Sequence, residues 1–254
     1  MTDFSDSFSI LYQDDHIVAI HKPAGLLVHR SWMASNESQF ALQMTRDAIG
    51  KKVFPVHRLD KPTSGVLIFA LSSELARLLQ QQFHNDTDEN KLIEKEYLAL
   101  VRGWPKQRQW VIDKPLKYHV DKFSEPDTEE GKMQDAQTHF ECVKTATINQ
   151  AVGPYDSARY SLVKAMPKTG RKHQIRRHLN HCNYPIVGDV NHGDRHHNHF
   201  FEERFKQSRL YLAATRLAFV HPVSLAPIVI EAPLEASFQR VINQIDWEEG
   251  NLPD

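Results

Sequence analysis

The feature that most constrains the fold is a charged turn that runs directly into an apolar segment. His57-Arg58-Leu59-Asp60-Lys61-Pro62-Thr63-Ser64-Gly65 is followed at once by Val66-Leu67-Ile68-Phe69-Ala70-Leu71. Pro and Gly punctuate turns, and a short apolar run beside such a turn is typical of a buried strand. We therefore expect a strand that begins near Val66, and a charged cluster around Asp60 at the edge of a sheet, where one side is shielded from water.

Length and composition leave room for one large domain or two small ones. The chain has 254 residues, of which 41% are apolar and 25% are charged, as in many globular proteins. It contains no apolar run long enough for a membrane span, and the acidic N-terminus lacks the apolar core of a signal peptide. Cys142 and Cys182 match neither a disulfide framework nor a metal-ligand pattern, which fits a reducing compartment. These features predict a cytoplasmic protein that does not bind membranes.

Charge is segregated along the chain, although the net charge is only −1. From Ser157 to Gly188 there are seven Lys or Arg residues and no Asp or Glu, whereas acidic residues cluster in Asp121–Glu130 and Asp246–Glu249. A one-sided positive field attracts phosphate groups, so this distribution fits a nucleic-acid partner. A solvated helix face with chance clustering of charge explains the basic stretch equally well at this point.

Periodicity and turn signals predict an α+β protein whose strands outnumber its helices. Strands are predicted at Ser9–Tyr12, Ile17–Ile20, Val66–Leu71, Glu94–Val101, Gln109–Ile112, Ala136–Ala146, Tyr160–Met166, Leu210–Val220 and Ile228–Glu231. Helices are predicted at Asn36–Ile49, Ser73–Phe83, Arg171–Cys182 and Phe238–Ile245, and a mobile loop at residues 117–134. Short turns favour a mixed, largely antiparallel sheet flanked by helices. With no convincing linker, we expect a single domain over residues 1–254 with a central active-site cleft.

Capping residues predict where two of these helices begin and end. Asn36 and Gln39 match a capping box at the start of the first predicted helix, and Gly50 is a stop signal at its end. Ser72 or Ser73 is expected to cap the second predicted helix, because a serine hydroxyl accepts from the free backbone N–H groups of a first turn.

Four motifs, in their order along the chain, resemble those of the RluA-type pseudouridine synthases. They are Asp14-Asp15-His16 through Lys22-Pro23-Ala24-Gly25, the motif from His57 to Gly65, Gly170-Arg171-Lys172-His173-Gln174-Ile175-Arg176-Arg177-His178-Leu179, and Pro185-Ile186-Val187-Gly188-Asp189. The resemblance covers roughly residues 9 to 231. It implies the pseudouridine synthase fold and an enzyme that isomerises uridine to pseudouridine in RNA. We expect this enzyme to need no cofactor and no obligatory protein partner, and to be a monomer.

The resemblance also bears on which RNA is modified. Val28-His29-Arg30-Ser31-Trp32 and Asn191-His192-Gly193-Asp194 are most similar to family members that act on the uridine at position 65 of tRNA, in the T stem. Other relatives modify ribosomal RNA with the same core motifs, so a ribosomal target stays open. Because the stretch before Phe8 is short, we expect no S4-like N-terminal RNA-binding domain of the kind that many relatives have, and we expect the RNA contacts to come from the catalytic domain itself.

The reaction implied by the resemblance needs a carboxylate beside a sugar. The N1–C1′ glycosidic bond breaks, the uracil turns and C5 joins C1′, so no group is gained or lost overall. An ionised carboxylate can act as nucleophile, as proton acceptor or as stabiliser of positive charge at C1′. Asp60 matches the catalytic aspartate of the family. The sequence leaves its role among these three open, and by its local pattern alone Asp60 also fits a plain turn residue.

Three further residues match the family's active site. Arg176 matches the arginine that pairs with the catalytic carboxylate, since a guanidinium keeps a shielded carboxylate ionised and oriented. The alternative for Arg176 is a cation that faces solvent or phosphate. Tyr97 matches the tyrosine whose ring stacks on uracil, and its alternative is a core aromatic on a strand. Arg58 matches the arginine that fills the RNA stack when the target nucleotide is flipped out.

RNA contacts are implied at four more positions. Arg171 and Lys172 are expected in the first turn of a helix, beside backbone amides that bind phosphate, and Arg177 is expected to contact RNA. Leu212 is expected to pack below the uracil ring. Here the sequence departs from the family, because the usual Leu-His-Ala reads Leu212-Ala213-Ala214 and the contribution of the histidine is missing.

Three other interpretations compete with the isomerase. The histidines at 192, 196, 197 and 199 suggest a metal site, but no acid or Cys joins them at regular spacing in what reads as a polar loop, so we predict no metal. A non-catalytic RNA-binding module would use the same basic residues without needing Asp60. A glycosidase with Asp60 as nucleophile would release free uracil and needs a second carboxylate about 5–10 Å away, which the residues near Arg176 do not supply.

Overall fold

The structure is a computed structural model that describes residues 4, 7–29, 38–84, 93–118 and 130–248. Across these ranges the strands are β1 (Ser9–Gln13), β2 (Ile17–Lys22), β3 (Phe54–Pro55), β4 (Ser64–Ala70), β5 (Glu94–Arg102), β6 (Gln109–Asp113), β7 (Leu116–Lys117), β8 (Met133–Gln134), β9 (Gln137–Ile148), β10 (Ala158–Pro167), β11 (Leu212–Val220) and β12 (Pro227–Glu231). The helices are α1 (Ala41–Ile49), α2 (Ser73–His84), α3 (Gln174–His181), α4 (Arg195–Phe205) and α5 (Ala236–Asn243). Over the same ranges no helix is long and apolar enough to cross a membrane.

The strand pairs β1–β2, β2–β4, β3–β4, β11–β12, β5–β10, β10–β9 and β9–β6 are antiparallel. The predicted α+β class, with a largely antiparallel sheet flanked by helices, is confirmed.

The chain divides into two compact units. Of the described residues, those within 1–95, 116–134 and 214–233 form the first unit, and those within 96–115, 135–213 and 234–254 form the second unit. The single domain and the central cleft stay predictions.

In the first unit, β2 and β4 are buried along their whole length. Such strands need no alternation of apolar and polar residues, which is why the run after Asp60 reads as continuously apolar. One apolar cluster joins Ile68 of β4 and Ile17 of β2 to Leu79 of α2 and Leu217 of β11. The prediction that the charged turn leads into a buried strand is confirmed.

In the second unit, alternate residues of β5 face two different apolar clusters. Leu100 belongs to a cluster with Phe201 of α4 and Phe238 of α5, whereas Val101 belongs to a cluster with Ile175 of α3. Because successive side chains of a strand point to opposite faces, α4 and α5 cover one face of this sheet and α3 covers the other.

Two predicted helix ends are confirmed and one is wrong. Gly50 ends α1 in the left-handed conformation, with a φ of 65°, and the hydroxyl of Ser72 accepts from a backbone N–H of α2 at 3.2 Å. The predicted capping box is wrong, because α1 begins at Ala41, whose N–H donates to a loop carbonyl, and Gln39 precedes the helix. Asn36 lies outside the described residues.

The predicted mobile loop over residues 117–134 is wrong at its two ends. Leu116–Lys117 and Met133–Gln134 form β7 and β8, an antiparallel pair in which Leu116 lies opposite Gln134. Gly131 permits the turn before β8, because its φ is +84°. Residues 119–129, in the middle of the predicted loop, lie outside the described residues.

Most of the His-rich stretch that reads as a polar loop is in fact the start of α4, which includes His196, His197 and His199, whereas His192 lies in the turn before it. The Asp194 carboxylate caps this helix by accepting from the backbone N–H groups of His196 and His197. Phe201 and Phe205 are buried in the core of the second unit. The cap and the buried phenylalanines determine the helix, and the polar residues between them conceal it from a periodicity count.

Tyr211 is buried in the second unit, and its hydroxyl lacks a partner within the part of the chain that the structure describes. Its ring packs edge-on against Phe201 and Phe238, and the hydroxyl makes no hydrogen bond with any described residue. Burial raises the pKa of Tyr211 to about 12, so the hydroxyl keeps its proton at neutral pH. A buried polar group without a partner costs about 1–3 kcal/mol.

We expect Tyr211→Phe to leave the free energy of unfolding unchanged or to raise it by about 1 kcal/mol, because it removes the unsatisfied hydroxyl. Urea denaturation measures the change. Tyr160→Phe is the matched control: the Tyr160 hydroxyl bonds to His197 Nδ1 at 2.8 Å, so its removal should cost about 1–2 kcal/mol. An equal loss in both variants would contradict this account of Tyr211.

Candidate active site

Asp60 lies in a turn that precedes β4 and is anchored to the end of β2, all within the first unit. The N–H of Thr63 donates to the carbonyl of Asp60 at 3.0 Å and closes the turn. The next carbonyl, that of Lys61, accepts from the N–H of Gly25 at 2.8 Å and from Lys22 Nζ at 3.1 Å. The backbone that directly follows the Asp60 side chain is therefore fixed by three hydrogen bonds.

Lys22 is a fully buried cation that ties this turn together. Its Nζ donates to the carbonyls of Pro23 and Leu26, both at 2.8 Å, in addition to that of Lys61. These carbonyl acceptors replace the water that the ammonium group loses on burial. Lys22 therefore holds the Asp60 turn against β2 through contacts with three backbone carbonyls.

We expect Lys22→Met to lower the free energy of unfolding by about 3 kcal/mol, because buried carbonyls lose their donor while the apolar stem is kept. Urea denaturation of the purified variant measures this loss. Lys61→Met, which changes an exposed lysine of the same turn, should shift stability by less than about 0.5 kcal/mol. Equal stabilities of the two variants would argue against the anchoring role.

His57 fixes the start of the same turn as an uncharged side chain. Its Nε2 accepts from the N–H of Ile68 in β4 at 3.1 Å, and its ring stacks on Phe83 of α2 with 4.6 Å between the ring centroids. Burial, and to a smaller extent the charge of Lys95, lowers the pKa of His57 to about 3. The imidazole is therefore neutral at neutral pH and can serve as a permanent acceptor for β4.

Burial alternates along the turn that follows His57. Arg58 is exposed, Leu59 is buried and Asp60 is partly exposed, which is the pattern of an extended segment with Arg58 and Asp60 on its outward side. Gly65, the second residue of β4, has a φ of +115°, and a Cβ there would lie 2.0 Å from the carbonyl oxygen of Ala214. A glycine is required at this point because two backbones approach without room for a side chain.

Arg176 forms a buried, bidentate ion pair with Asp189 in the second unit. Nε donates to Oδ2 at 2.7 Å and Nη2 donates to Oδ1 at 2.8 Å, and the two side chains are 3% and 1% exposed. Asp189 also accepts from the backbone N–H groups of Asn191 and His192. Burial alone would raise the pKa of the Asp189 carboxyl, but Arg176 and these N–H groups hold that pKa below its usual range. The pair fixes the plane of the guanidinium.

α3, which carries Arg176, begins at Gln174, three residues after its predicted start. His173 precedes it in the left-handed conformation, with a φ of 54°, and Gln174 Oε1 accepts from the N–H of Arg171 at 3.0 Å. Residues 171–173 are thereby held in a turn. The prediction that Arg171 and Lys172 occupy the first turn of the helix is therefore wrong, because they lie before it.

An oriented chain of hydrogen bonds holds α3 against β9. Thr169 Oγ1 donates to Gln174 Oε1 at 2.6 Å, and Gln174 Nε2 donates to Thr138 Oγ1 at 2.9 Å. His178 Nδ1 lies 2.9 Å from Thr138 Oγ1, and its Nε2 lies 3.1 Å from the carbonyl of Lys114. Because the carbonyl can only accept, His178 donates from Nε2 and accepts at Nδ1. Burial lowers the pKa of His178, which preserves this neutral tautomer.

Tyr97 and Leu212 lie around the same apolar cluster as α3. Leu212 and Ile175 of α3 are buried in this cluster, and Tyr97 packs against it while partly exposed. Ala99 belongs to the same cluster, which confirms that Tyr97 and Ala99 share one face of β5. The second unit thus carries Tyr97, Leu212 and the helix of Arg176 on one face of its sheet.

The sequence-predicted residues are divided between the two units. Asp60 and Arg58 belong to the first unit, and the second unit holds Tyr97, Arg171, Lys172, Arg176, Arg177 and Leu212. Arg171, Lys172 and Arg177 are partly exposed, and Arg171 Nε donates to the carbonyl of Asp135 at 2.9 Å. Burial lowers the pKa of Arg177.

Three residues that build these sites lie in the sequence motifs but were assigned no role there: Lys22, His57 and Asp189. Lys22 and Asp189 each follow a short buried apolar run, Ile17–Ile20 and Ile186–Val187, whereas His57 follows a single buried valine, Val56. For Asp189 the signal is an acid directly after Pro185-Ile186-Val187-Gly188, because a carboxylate at the end of a buried run needs a cation. The sequence does not say which cation that is.

Among the described residues, no group of three or more His, Cys, Asp or Glu side chains is arranged to hold a metal ion. Two of the three histidines of α4 make contacts with other side chains. His197 is buried and bonds to the hydroxyl of Tyr160, and His199 pairs with Glu203 across one helical turn at 3.2 Å.

Comparison with known proteins decides the family. Residues 16–181 match the family model described as RNA pseudouridylate synthase. The chain belongs to the RNA pseudouridylate synthase family. The tRNA pseudouridine synthase C of Haemophilus influenzae is 48% identical over 240 residues, which cover 94% of this chain and 98% of that protein. The tRNA pseudouridine synthase C of Vibrio cholerae is 45% identical over 244 residues, which cover 96% and 98%.

Solved structures of this family share the fold. Human RNA Pseudouridylate Synthase Domain Containing 4 has a TM-score of 0.68 at 24% identity and covers 94% of both chains. Human RNA Pseudouridylate Synthase Domain Containing 1 has a TM-score of 0.65 at 21% identity and covers 89% of this chain and 83% of that one. The predicted pseudouridine synthase fold is confirmed, and membership of the family makes the chain an isomerase, as the motifs implied.

Proposed function

We propose that this chain converts one uridine of tRNA into pseudouridine, and that the target is the uridine at position 65 in the T stem. The observation that carries the choice of tRNA is the similarity to proteins named tRNA pseudouridine synthase C, which extends over nearly the full length of both chains. The motifs around His29 and His192 support position 65 by their resemblance to members that act there.

In the proposed mechanism the Asp60 carboxylate acts at the sugar of the flipped nucleotide, and Arg176 pairs with it. The anchored turn supports the first part, because a carboxylate that works on one carbon atom must be held in place. The bidentate contact with Asp189 supports the second, because it presents a guanidinium of fixed orientation from a buried site. When N1–C1′ breaks and C5 joins C1′, C5 loses its proton to solvent and N1 takes up one proton. The atoms therefore balance without a cofactor.

The remaining residues bind and hold the RNA in this proposal. Tyr97 stacks on the extruded uracil and Leu212 packs below it, which fits their shared apolar cluster. Arg58 enters the stack that the nucleotide leaves, which fits its exposed side chain. The partly exposed cations Arg171, Lys172 and Arg177 contact phosphates. We further propose that the protein acts in the cytoplasm as a monomer with no obligatory protein partner.

The substrate proposal is tested by incubating the purified chain with unmodified tRNA and ribosomal RNA transcripts and mapping pseudouridine at nucleotide resolution. The expected result is one new pseudouridine at position 65 of tRNA and none in ribosomal RNA. Modification at another tRNA position would contradict the assignment to position 65. Modification of ribosomal RNA alone would contradict the assignment to tRNA.

A further inference from the structure

We propose that residues 171–173 and 189–196 of the second unit form an RNA-docking surface, with Val190 as its apolar contact. The inference rests on the proposed function and deepens it by naming the protein surface that holds the RNA beside Arg176. Val190 and Arg195 receive no role from the sequence motifs. Arg171 and Lys172 acquire a location on this surface in place of the helix turn that was predicted for them.

Two side-chain contacts join the two segments into one surface. The Arg176–Asp189 ion pair links α3 to the start of the second segment. His173 Nδ1 lies 2.9 Å from His192 Nε2, with the two rings edge to face, and this contact links the turn before α3 to the same segment. The cations at 171 and 172 are therefore neighbours of the turn that carries Val190.

Val190 is displayed to solvent by a turn with little freedom to move. It is 89% exposed, more than any other large apolar side chain among the described residues. Asp189 Oδ1 accepts from two backbone N–H groups of the turn, and the carbonyl of Asp189 accepts from Gly193 N–H at 2.9 Å and from Asn198 Nδ2 at 3.0 Å. Single exposed apolar residues are common. The rigid setting and the direct link to Arg176 distinguish this one.

The charges around Val190 fit a partner that carries phosphates. Between Lys168 and Phe200 the sequence contains only two acids, Asp189 and Asp194. Asp189 pairs with Arg176, and Asp194 pairs with Arg102 and caps α4. The other charged residues of this stretch are cations, so the surface is net positive. Phosphates meet the cations, and an apolar tip fits the face of a ribose or base, a combination that RNA offers.

The test measures binding of unmodified tRNA transcript to the full chain by fluorescence anisotropy. Val190→Ser is expected to weaken binding about five- to tenfold, because an apolar contact is lost without adding charge. Val190→Leu should bind like the parent chain, since it keeps the contact. Val111→Ser is the matched control, a 53% exposed valine on β6 of the same unit, and should change nothing. If Val190→Ser binds tRNA as tightly as the parent chain, or if Val111→Ser loses as much affinity, the proposed docking surface is wrong.

A salt titration tests the phosphate contacts separately. Arg195→Gln should reduce the slope of log affinity against log salt by about one, while Arg240→Gln, an exposed arginine on α5 of the same unit, should leave it unchanged. Equal slopes for Arg195→Gln and the parent chain would contradict the surface. Binding is read without chemistry, so a chain that binds RNA through Val190 but makes no pseudouridine would refute the proposed function and not this surface.

Discussion

Asp60→Asn is expected to lower the rate of pseudouridine formation in tRNA by at least about a thousandfold. Asparagine has nearly the size of aspartate but no charge, so it can neither attack C1′ nor accept a proton nor stabilise positive charge at the sugar. The rate is measured in single turnover, with protein in excess over the transcript, so that product release does not mask the chemical step.

Affinity for RNA and melting temperature should stay close to those of the parent chain in Asp60→Asn, because the substitution keeps the backbone carbonyls of Asp60 and Lys61 that accept the hydrogen bonds of the turn. Asp15→Asn is the matched control, an exposed aspartate of the same unit, and should keep the full rate. In a protein that only binds RNA, Asp60→Asn would change no measured property. A full rate of pseudouridine formation in this variant would show that Asp60 takes no part in the reaction.

Asp189→Asn is expected to lower the free energy of unfolding by about 3 kcal/mol at neutral pH, because it leaves the buried guanidinium of Arg176 without its counter-charge. We also expect the rate of pseudouridine formation to fall by about a hundredfold. A guanidinium of Arg176 displaced by about 1 Å would no longer orient the Asp60 carboxylate, with which we propose that it pairs. Asp113→Asn, an exposed aspartate that accepts from Gln137 at 3.1 Å, is the control and should change stability by less than about 0.5 kcal/mol.

The stability difference between the parent chain and Asp189→Asn should depend on pH in one direction. The pKa of Asp189 is lower in the folded chain than in the unfolded chain, so its contribution is fully present above the unfolded value of about 3.9. The contribution is lost as the pH falls through the lower folded pKa. Urea denaturation at several pH values should show the two chains converging in acid, and a difference that grows in acid would contradict this.

The buried strand after Asp60 could be predicted because its signal is local. An unbroken apolar run beside a Pro-Thr-Ser-Gly turn is compatible with few structures. The observed strand β4, Ser64–Ala70, agrees closely with the predicted strand Val66–Leu71. The strand of Tyr97 was predicted for the same reason, since alternation places Tyr97 and Ala99 on one face of β5. The catalytic assignment of Asp60 came from a resemblance between motifs and not from the physics of the turn.

The partners of the buried charges could not be predicted, because they depend on contacts between distant segments. Nothing local in the sequence joins Arg176 to Asp189, or Lys22 to the carbonyl of Lys61. The predicted start of α3 at Arg171 is wrong because the side chain of Gln174 accepts a hydrogen bond from the N–H of Arg171 and holds residues 171–173 in a turn. In the sequence pattern, Gln174 is only one more polar residue.

The most direct test of the central claim uses tRNA whose uridines carry tritium at C5, incubated with the purified chain alone. Joining C5 to C1′ expels that hydrogen, so we expect release of about one equivalent of tritium per tRNA, with the RNA chain intact and no free uracil. Free uracil would indicate a glycosidase, and no release from any RNA would contradict the claim that this chain isomerises uridine.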